Sequence, residues 1–335
     1  MQLTFKQEQT VRWSMLHEPG DAAAMAVFEA RGVQAIEDYQ SGKAPSIWPE
    51  LVPSEYLAEF PALIERIGLR LPHIDPVATI ERAIRWNARP VFACDAPKLF
   101  ALLDDLGLHR PYLLWVAGDL DFLDGSQVAI VGTRWPSDSG LENTRRLVRE
   151  LGVSVVSGGA KGIDAQAHRA AIAHGLPTAA FMAGGLDRAY PQENWNLFHD
   201  IVRSGGAMIS ELAPKSAPTR FRFLQRNRLI AASVTATFVV EAGYRSGSKN
   251  TAGHSRLLGR DTYALVGGGK GAQRGCEAMV ASGLAMPFRL SAGSDDSLGQ
   301  RIEDAKRNGS RTVEEIARES GVSISQVRQG LAAGN

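Results

Sequence analysis

The sequence has little cysteine and no long apolar run. Its two cysteines, Cys94 and Cys276, are too few and too far apart for a disulfide framework or a CxxC metal site, so we expect a cytoplasmic protein. No stretch approaches the roughly 18 apolar residues that a membrane span requires. The N-terminus also lacks the apolar centre of a signal peptide. Secretion and membrane association are therefore not expected.

Common nucleotide-binding, metal and catalytic motifs are also missing. VGTRWPSDSG departs from GxGxxG, and GGAKGID and SGSKNT depart from GxxxxGK[ST], which disfavours a standard NAD enzyme and a P-loop ATPase. HExxH and Cys/His clusters do not occur, and no Ser, His and acid arrangement stands out. His168 is interpreted as a buried structural residue rather than a base. We therefore predict no catalytic residue, metal or cofactor.

Charge is unevenly distributed, although the formal net charge is only +1. Residues 1–126 carry 11 Lys and Arg against 18 Asp and Glu, residues 127–290 carry 20 against 11, and residues 291–335 carry 6 against 7. The middle of the chain is thus a basic body between acidic flanks. Cations gathered on one domain attract a polyanion, although arginine-rich solvated helices would give the same excess.

From Val128 onward, short apolar runs alternate with segments of helical length. Alternating strands and helices predict right-handed crossovers, and near-continuous apolar strands indicate a sheet that is covered on both faces. We therefore expect the α/β class, with an extended Rossmann-like, doubly wound and mostly parallel sheet. The predicted strands are residues 128–131, 153–157, 177–182, 207–210, 236–241 and 262–266.

Changes in composition predict five segments. Residues 1–45 form a small helical domain in which Asp21 is a good N-cap, and a proline-rich connecting region over 46–110 leads into the Rossmann-like core over 111–290. An acidic linker over 291–300 precedes a short helix-turn-helix over 301–335, for which no β-hairpin wing is expected. This last segment is either a DNA-reading unit or a helical hairpin that packs on protein.

The loops that follow the predicted core strands are rich in glycines, hydroxyls and cations. In a parallel sheet these loops meet at one edge, where helix N-termini add unpaired N–H groups that favour anions. Each loop alone is also explained by ordinary turn chemistry, but five such loops on one edge indicate a ligand site. The candidate residues in these loops are Gly132, Arg134, Ser157, Gly158, Lys161, Gly162, Ser246, Gly247, Ser248 and Lys249.

The predicted helix over residues 219–232, TRFRFLQRNRLIAA, mixes four arginines with two phenylalanines. Single-stranded nucleic acid needs cations that follow its backbone and rings that stack on its bases. We expect Arg228 to face the strand-end edge, and we expect charge reversal at Arg228 or at Arg134 to weaken binding without unfolding the protein. Trp135 is a second candidate for stacking.

The alternative for this helix is structural. Phe223 and Leu229 would then pack on the sheet, while Arg226 or Arg228 pairs with Glu211 or Glu241. We expect both interpretations to hold in part.

A series of runs occurs in a fixed order: VAIVGTR, SGGAKGIDAQAH, YPQEN, SE followed by Pro214, FLQRNRLIA and VVEAGYRSGSKNTA. Together these runs resemble the DprA/Smf family of DNA-processing proteins, densely over residues 111–285. Two features depart from the family: VGGGKGAQRG stands where PG is usual, and Ser255 where Ala is common. The N-terminal helices are similar to the SAM-like domain of longer members.

The resemblance implies a cytoplasmic bacterial homodimer with no cofactor and no enzymatic activity. Such a protein binds single-stranded DNA and helps to load the RecA recombinase onto DNA displaced from single-strand-binding protein, in natural transformation or recombination. The resemblance assigns the DNA contacts to Arg134, Lys161, Phe223, Arg226, Asn227 and Arg228.

Two other functions remain open. One is a Rossmann-like nucleotide sensor or a phosphoribohydrolase-like enzyme, although the PGGxGTxxE loop of those enzymes is absent. The other is a transcriptional regulator that acts through the C-terminal helix-turn-helix. Binding of oligo(dT), duplex DNA or AMP would distinguish the three.

Overall fold

The structure is a computed structural model that describes residues 3–188, 190–267 and 273–290, together with Glu315, Ala317 and Arg318. Apart from those three residues, the predicted linker and helix-turn-helix lie outside the described residues.

The described elements begin with six α-helices that precede the first strand, and from β3 onward strands alternate with helices. The α-helices are α1 Phe5–Met15, α2 Ala22–Arg31, α3 Gln34–Gln40, α4 Ala44–Ile47, α5 Phe60–Arg70, α6 Pro76–Arg85, α7 Pro97–Leu103, α8 Asp138–Leu151, α9 Ile163–Ala173, α10 Trp195–Arg203, α11 Arg220–Ala232, α12 Ser248–Leu257 and α13 Arg274–Ala281. The strands are β1 Arg89–Val91, β2 Leu114–Gly118, β3 Gln127–Val131, β4 Ser154–Ser157, β5 Thr178–Met182, β6 Ala207–Ser210, β7 Ala236–Val239, β8 Asp261–Leu265 and β9 Met286–Phe288.

The strands form one sheet in the order β1-β2-β6-β5-β4-β3-β7-β8-β9. β2 is antiparallel to both of its neighbours, and all other pairs are parallel. This arrangement confirms the predicted α/β class and the mostly parallel sheet. Strand order reverses between β3 and β7, because the chain builds outward from β3 on one side and then returns to its other side.

The sheet is buried on both faces, which explains the near-continuous apolar strands. In β3, Ala129 and Val131 pack with residues of α7, α11, α12 and α13, while Val128 and Ile130 face α8 and α9. α10 covers the sheet near β5 and β6. The helices therefore direct their apolar residues toward the sheet. No helix in the described ranges is long and apolar enough to cross a membrane.

The N-terminal helices have their own core around Trp13 and Trp48, both fully buried. Asp21 caps α2 by accepting a hydrogen bond from the N–H of Ala24 at 3.0 Å, as predicted. Glu18, in the turn before α2, also pairs with Arg222 of α11 at 2.9 Å. This ion pair connects the helical region with the Rossmann-like part of the chain.

Candidate nucleic-acid interface

The carboxyl ends of β3 and β7 lie side by side where the strand order reverses. In a doubly wound sheet this is the position at which a ligand-binding crevice opens. A pocket of about 490 Å³ lies here, which we call the switch-point pocket. The predicted site residues that line it are Gly132, Arg134, Phe223, Arg226, Asn227, Ser246, Gly247 and Ser248, accompanied by Trp135 and Asp164.

Two glycines that were predicted as site residues allow the loops after β3 and β4 to approach each other. Gly162 has a φ of +82°, and a Cβ there would lie 2.3 Å from the carbonyl oxygen of Thr133. A Cβ on Gly132 would lie 2.6 Å from Ile163 Cγ1. Any larger residue would push the two loops apart, so these glycines shape the wall of the pocket.

Phe223 places its ring at the pocket, close to two cations. The guanidinium carbons of Arg134 and Arg226 lie 5.1 Å and 5.7 Å from the ring centroid, within the range of a cation–π contact. The ring of Tyr190 is 5.5 Å away. Phe223 is only partly buried, whereas Leu229 on the same helix is in the core. The structural interpretation therefore holds for Leu229, while the ring of Phe223 remains available at the pocket.

Arg226 is a buried cation in the pocket wall. Its guanidinium donates to the carbonyl oxygens of Gly158, at 2.7 Å, and Phe181. Burial lowers the pKa of Arg226 to about 10; the nearby Asp164 opposes this shift and Arg134 adds to it. The guanidinium is therefore still charged at neutral pH, and its field points into a cavity that an anion can enter.

Asp164 lies beside Arg226, in the first turn of α9. Burial raises the pKa of the Asp164 carboxyl, although Arg226 and the backbone N–H groups of the surrounding loops act in the opposite direction. A Cβ on Gly158 would be 2.7 Å from Arg226 Nη2 and 2.8 Å from Asp164 Oδ2, so Gly158 makes room for both charged groups. Asp164 was not among the predicted site residues; the signal in the sequence was an acid in the first turn of a helix behind a glycine-rich loop.

The loop after β7 forms the opposite wall. The hydroxyls of Ser246 and Ser248 are 2.8 Å apart, and Ser248 begins α12 at the pocket. Asn227 donates to Asn250 Oδ1 at 3.0 Å, which joins α11 to α12. Lys249 is exposed outside the pocket lining, with its ammonium 5.7 Å from the ring of Tyr244.

Two further predicted residues lie near the pocket but do not line it. Ser157 is fully buried, and its hydroxyl donates to the carbonyl of Ile130 at 2.6 Å. That hydroxyl therefore joins β4 to β3 and does not face the pocket. Lys161 forms an ion pair with Glu193, so its charge is shared with a surface carboxylate.

Arg228 reaches the carboxyl end of β6, as expected, but it is enclosed there. Its guanidinium donates to both carboxylate oxygens of Glu211 at 2.8 Å and to the carbonyl of His109 at 2.9 Å. Only 3% of the side chain is exposed. The expectation that Arg228 behaves as a surface charge is therefore wrong, because a guanidinium so enclosed belongs to the packing of the fold.

Glu241 positions the loop after β3 through Ser137. Its carboxylate accepts hydrogen bonds from the Ser137 N–H at 3.2 Å and from the Ser137 hydroxyl at 2.8 Å. Ser137 is the N-cap of α8, so Glu241 fixes both the loop and the start of that helix. The sequence signal was an acid directly after an apolar strand, but nothing local identified its partner.

His168 is fully buried, as interpreted from the sequence. Its Nδ1 lies 2.7 Å from the hydroxyl of Thr178, and burial lowers its pKa to about 3, so the ring is neutral. Across the described residues, no group of three or more His, Cys, Asp or Glu side chains could hold a metal ion.

Comparison with known proteins gives consistent matches. The sequence profile of the family described as DNA recombination-mediator protein A matches residues 94–294. The putative DNA processing protein DprA of Mycobacterium tuberculosis is 37% identical over 253 residues, which cover 67% of this chain and 65% of the relative. The DNA processing protein DprA of Streptococcus pneumoniae is 36% identical over 206 residues, or 58% of this chain and 72% of the relative.

Two solved structures are similar to this chain. The X-ray structure of DNA processing protein A from Streptococcus pneumoniae has a TM-score of 0.62 and 27% identity. The match covers 86% of this chain and 95% of the Streptococcus pneumoniae chain. The second is DNA processing protein A from Helicobacter pylori, whose structure concerns its single-stranded DNA binding mode. It has a TM-score of 0.51 and 28% identity, and the match covers 56% of this chain and 86% of the Helicobacter pylori chain.

Proposed function

The chain belongs to the DNA recombination-mediator protein A family, and from this premise we propose that it binds single-stranded DNA in the switch-point pocket, without turning over a nucleotide. The observation that carries the proposal is the partly buried ring of Phe223 beside the guanidinium groups of Arg134 and Arg226. The single-stranded DNA binding mode described for the Helicobacter pylori relative supports it.

Each part of the pocket has a distinct task in this proposal. Phe223 stacks on an unpaired base, a contact that every base can make because each has a π-face. Arg134 is exposed and contacts a phosphate, while the fixed charge of Arg226 and the N-terminus of α12 attract the backbone. Duplex DNA keeps its bases stacked inside, so it cannot use the ring of Phe223.

The binding experiment measures the fluorescence anisotropy of labelled oligo(dT), of duplex DNA of equal length, and of a fluorescent AMP analogue. We expect preference for oligo(dT), with three to five phosphate contacts giving a slope of about −2 to −3.5 in a plot of log affinity against log salt. A flat salt response would contradict the proposal. Release of adenine from AMP would instead support an enzyme, and sequence-dependent duplex binding would support a regulator.

We further propose that the protein acts as a homodimer that transfers the bound strand to RecA. The family membership and the sequence resemblance support this step. The test is RecA filament assembly on DNA coated with single-strand-binding protein, followed by fluorescence, with the oligomeric state measured by analytical ultracentrifugation. We expect the wild-type protein to shorten the lag of assembly and Arg134→Glu to lose this effect. An unchanged lag with wild type would contradict the transfer step while leaving DNA binding intact.

A further inference from the structure

A second cavity, of about 540 Å³, lies between the N-terminal helices and the loop after β6. Its walls come from the ends of α1 and α5, from α6, from residues 212–217 and from the first turn of α11. Nothing in the sequence motifs pointed to it, because its residues are far apart in the chain. We call it the arginine groove, after its five cationic residues Arg70, Arg82, Arg85, Lys215 and Arg222.

Three of these cations have carboxylate partners that only partly balance them. Arg82 pairs with Asp187 at 2.7 Å. Arg70 and Arg222, however, both pair with Glu18, so two positive charges share one negative charge. This sharing leaves an excess cation beside the groove.

The other two cations are exposed and unpaired. Neither Arg85 nor Lys215 makes an ion pair with any residue that the structure describes, and both side chains are exposed. The carboxylate in the lining, Asp75, is engaged as the N-cap of α6, where it accepts from Ala78 N–H at 3.0 Å. The groove therefore has a positive balance and two side chains free to contact an anion.

His17 provides an independent observation in the same groove. It lines the cavity and is only 3% exposed, yet neither ring nitrogen has a hydrogen-bond partner among the described residues. Burial, with Arg66 and Arg70 nearby, lowers the pKa of His17, so the ring is neutral and carries one N–H. Both ring nitrogens are themselves buried, so the ring lies in the floor of the groove and leaves the contact with an anion to the cations around it.

The groove adjoins the switch-point pocket across the first turn of α11. Arg222 lines the groove and Phe223 lines the pocket, and the Cα atoms of consecutive residues are about 3.8 Å apart. The start of α11 also carries the exposed side chains of Arg220 and Phe221. A strand leaving the pocket over this turn enters a positive groove without crossing an acidic surface of α11.

We propose that the arginine groove binds phosphodiester groups of the same DNA strand beyond the switch-point pocket. The inference rests on the proposed function, since it extends the path of the strand that the pocket holds. A free nucleotide offers the same phosphate chemistry, so the experiment must separate the two sources.

The test compares the affinity of the full chain for oligo(dT) of about 5 and about 20 nucleotides, a range that spans typical single-strand site sizes. The variant Arg85→Glu/Lys215→Glu removes the two unpaired cations. We expect it to weaken binding of the long oligonucleotide about tenfold or more and to make its salt slope less negative by about 1.4, while the short oligonucleotide binds as to wild type. The matched control Arg149→Glu/Arg169→Glu changes the net charge equally at exposed arginines of α8 and α9 and should change neither affinity.

The remaining outcomes separate the two proposals. Unchanged long-oligonucleotide affinity in Arg85→Glu/Lys215→Glu, together with loss of both lengths in Arg134→Glu, overturns the groove and leaves the pocket standing. Absence of oligo(dT) binding by wild type overturns both. If calorimetry shows that the groove variant loses AMP binding while both oligonucleotides bind normally, the groove holds a free nucleotide and not the strand.

Discussion

Arg226 and Arg228 lie two residues apart on α11, and both are buried, but their surroundings differ. Arg228 donates to both oxygens of Glu211. The hydrogen bonds of Arg226 go to carbonyl and amide oxygens among the described residues, and its face toward Phe223 lines the switch-point pocket. A carboxylate accepts hydrogen bonds directly from the first guanidinium, whereas the hydrogen-bond acceptors of the second are neutral oxygens, with the Asp164 carboxyl nearby and the cavity on the remaining side.

The comparison shows that burial alone does not separate structural from binding residues. What separates them is whether the partner carries the opposite charge and whether a cavity lies on the remaining side. Arg228 should therefore matter for stability, while Arg226, Phe223 and Arg134 should matter for DNA binding.

The largest effect is expected for Arg228→Ala. Removal of the guanidinium leaves the largely enclosed carboxylate of Glu211, whose side chain is 11% exposed, without its partner, a change that costs about 3–5 kcal/mol in the free energy of unfolding. Urea denaturation measures this loss, and oligo(dT) affinity measured where the variant is folded should stay within about threefold, under 1 kcal/mol. If Arg228→Ala kept wild-type stability but lost DNA binding, Arg228 would be a binding residue and not a structural one.

The next effect is expected for Phe223→Ala. Loss of the ring that stacks on a base costs about 1–3 kcal/mol of binding free energy. The salt slope stays nearly unchanged, because stacking releases no counterions. Anisotropy titrations over a range of salt concentrations measure both quantities. Phe5→Ala is the matched control, since Phe5 is 72% exposed on α1 and lines neither the switch-point pocket nor the arginine groove. A stability loss of about 3–5 kcal/mol in Phe223→Ala would mean that the ring belongs to the core.

A smaller effect is expected for Arg134→Gln, which removes one exposed cation from the pocket. The salt slope for oligo(dT) should become less negative by about 0.7, the contribution of a single phosphate contact on a single strand. Thermal stability should not change, because surface substitutions usually shift the free energy of unfolding by less than about 0.5 kcal/mol. Arg149→Gln, on an exposed face of α8, should leave the slope as in wild type. An equal change of slope in both variants would show that the contact is not specific to the pocket.

The smallest effect is expected from deletion of residues 292–335. This segment is acidic overall, and its second predicted helix offers Arg328 as its cation, so it is poorly charged for gripping phosphates. Oligo(dT) affinity should stay within about threefold, under 1 kcal/mol. A tenfold loss would place part of the DNA-binding surface in this segment.

Local patterns predicted most of the sheet. The apolar runs predicted β3 to β8 to within two residues at each end, because a strand buried on both faces needs such residues whatever its neighbours are. β9 was not predicted: it has three residues and contains Pro287, which in a sequence argues against a strand. The antiparallel placement of β2 beside β6 was not predicted either, because strand pairing depends on distant parts of the chain.

The site divides in the same way. Glycines, hydroxyls and cations after apolar strands predicted the switch-point pocket, since turn chemistry and the direction of parallel strands are local properties that the sequence determines. The tertiary structure decided the partners of each side chain: Arg228 donates to a carbonyl 119 residues away, Ser157 turns inward to Ile130, and the arginine groove gathers cations from widely separated segments. Residue type sets what a side chain can do, but its charge balance and exposure depend on neighbours that only the folded chain brings into contact.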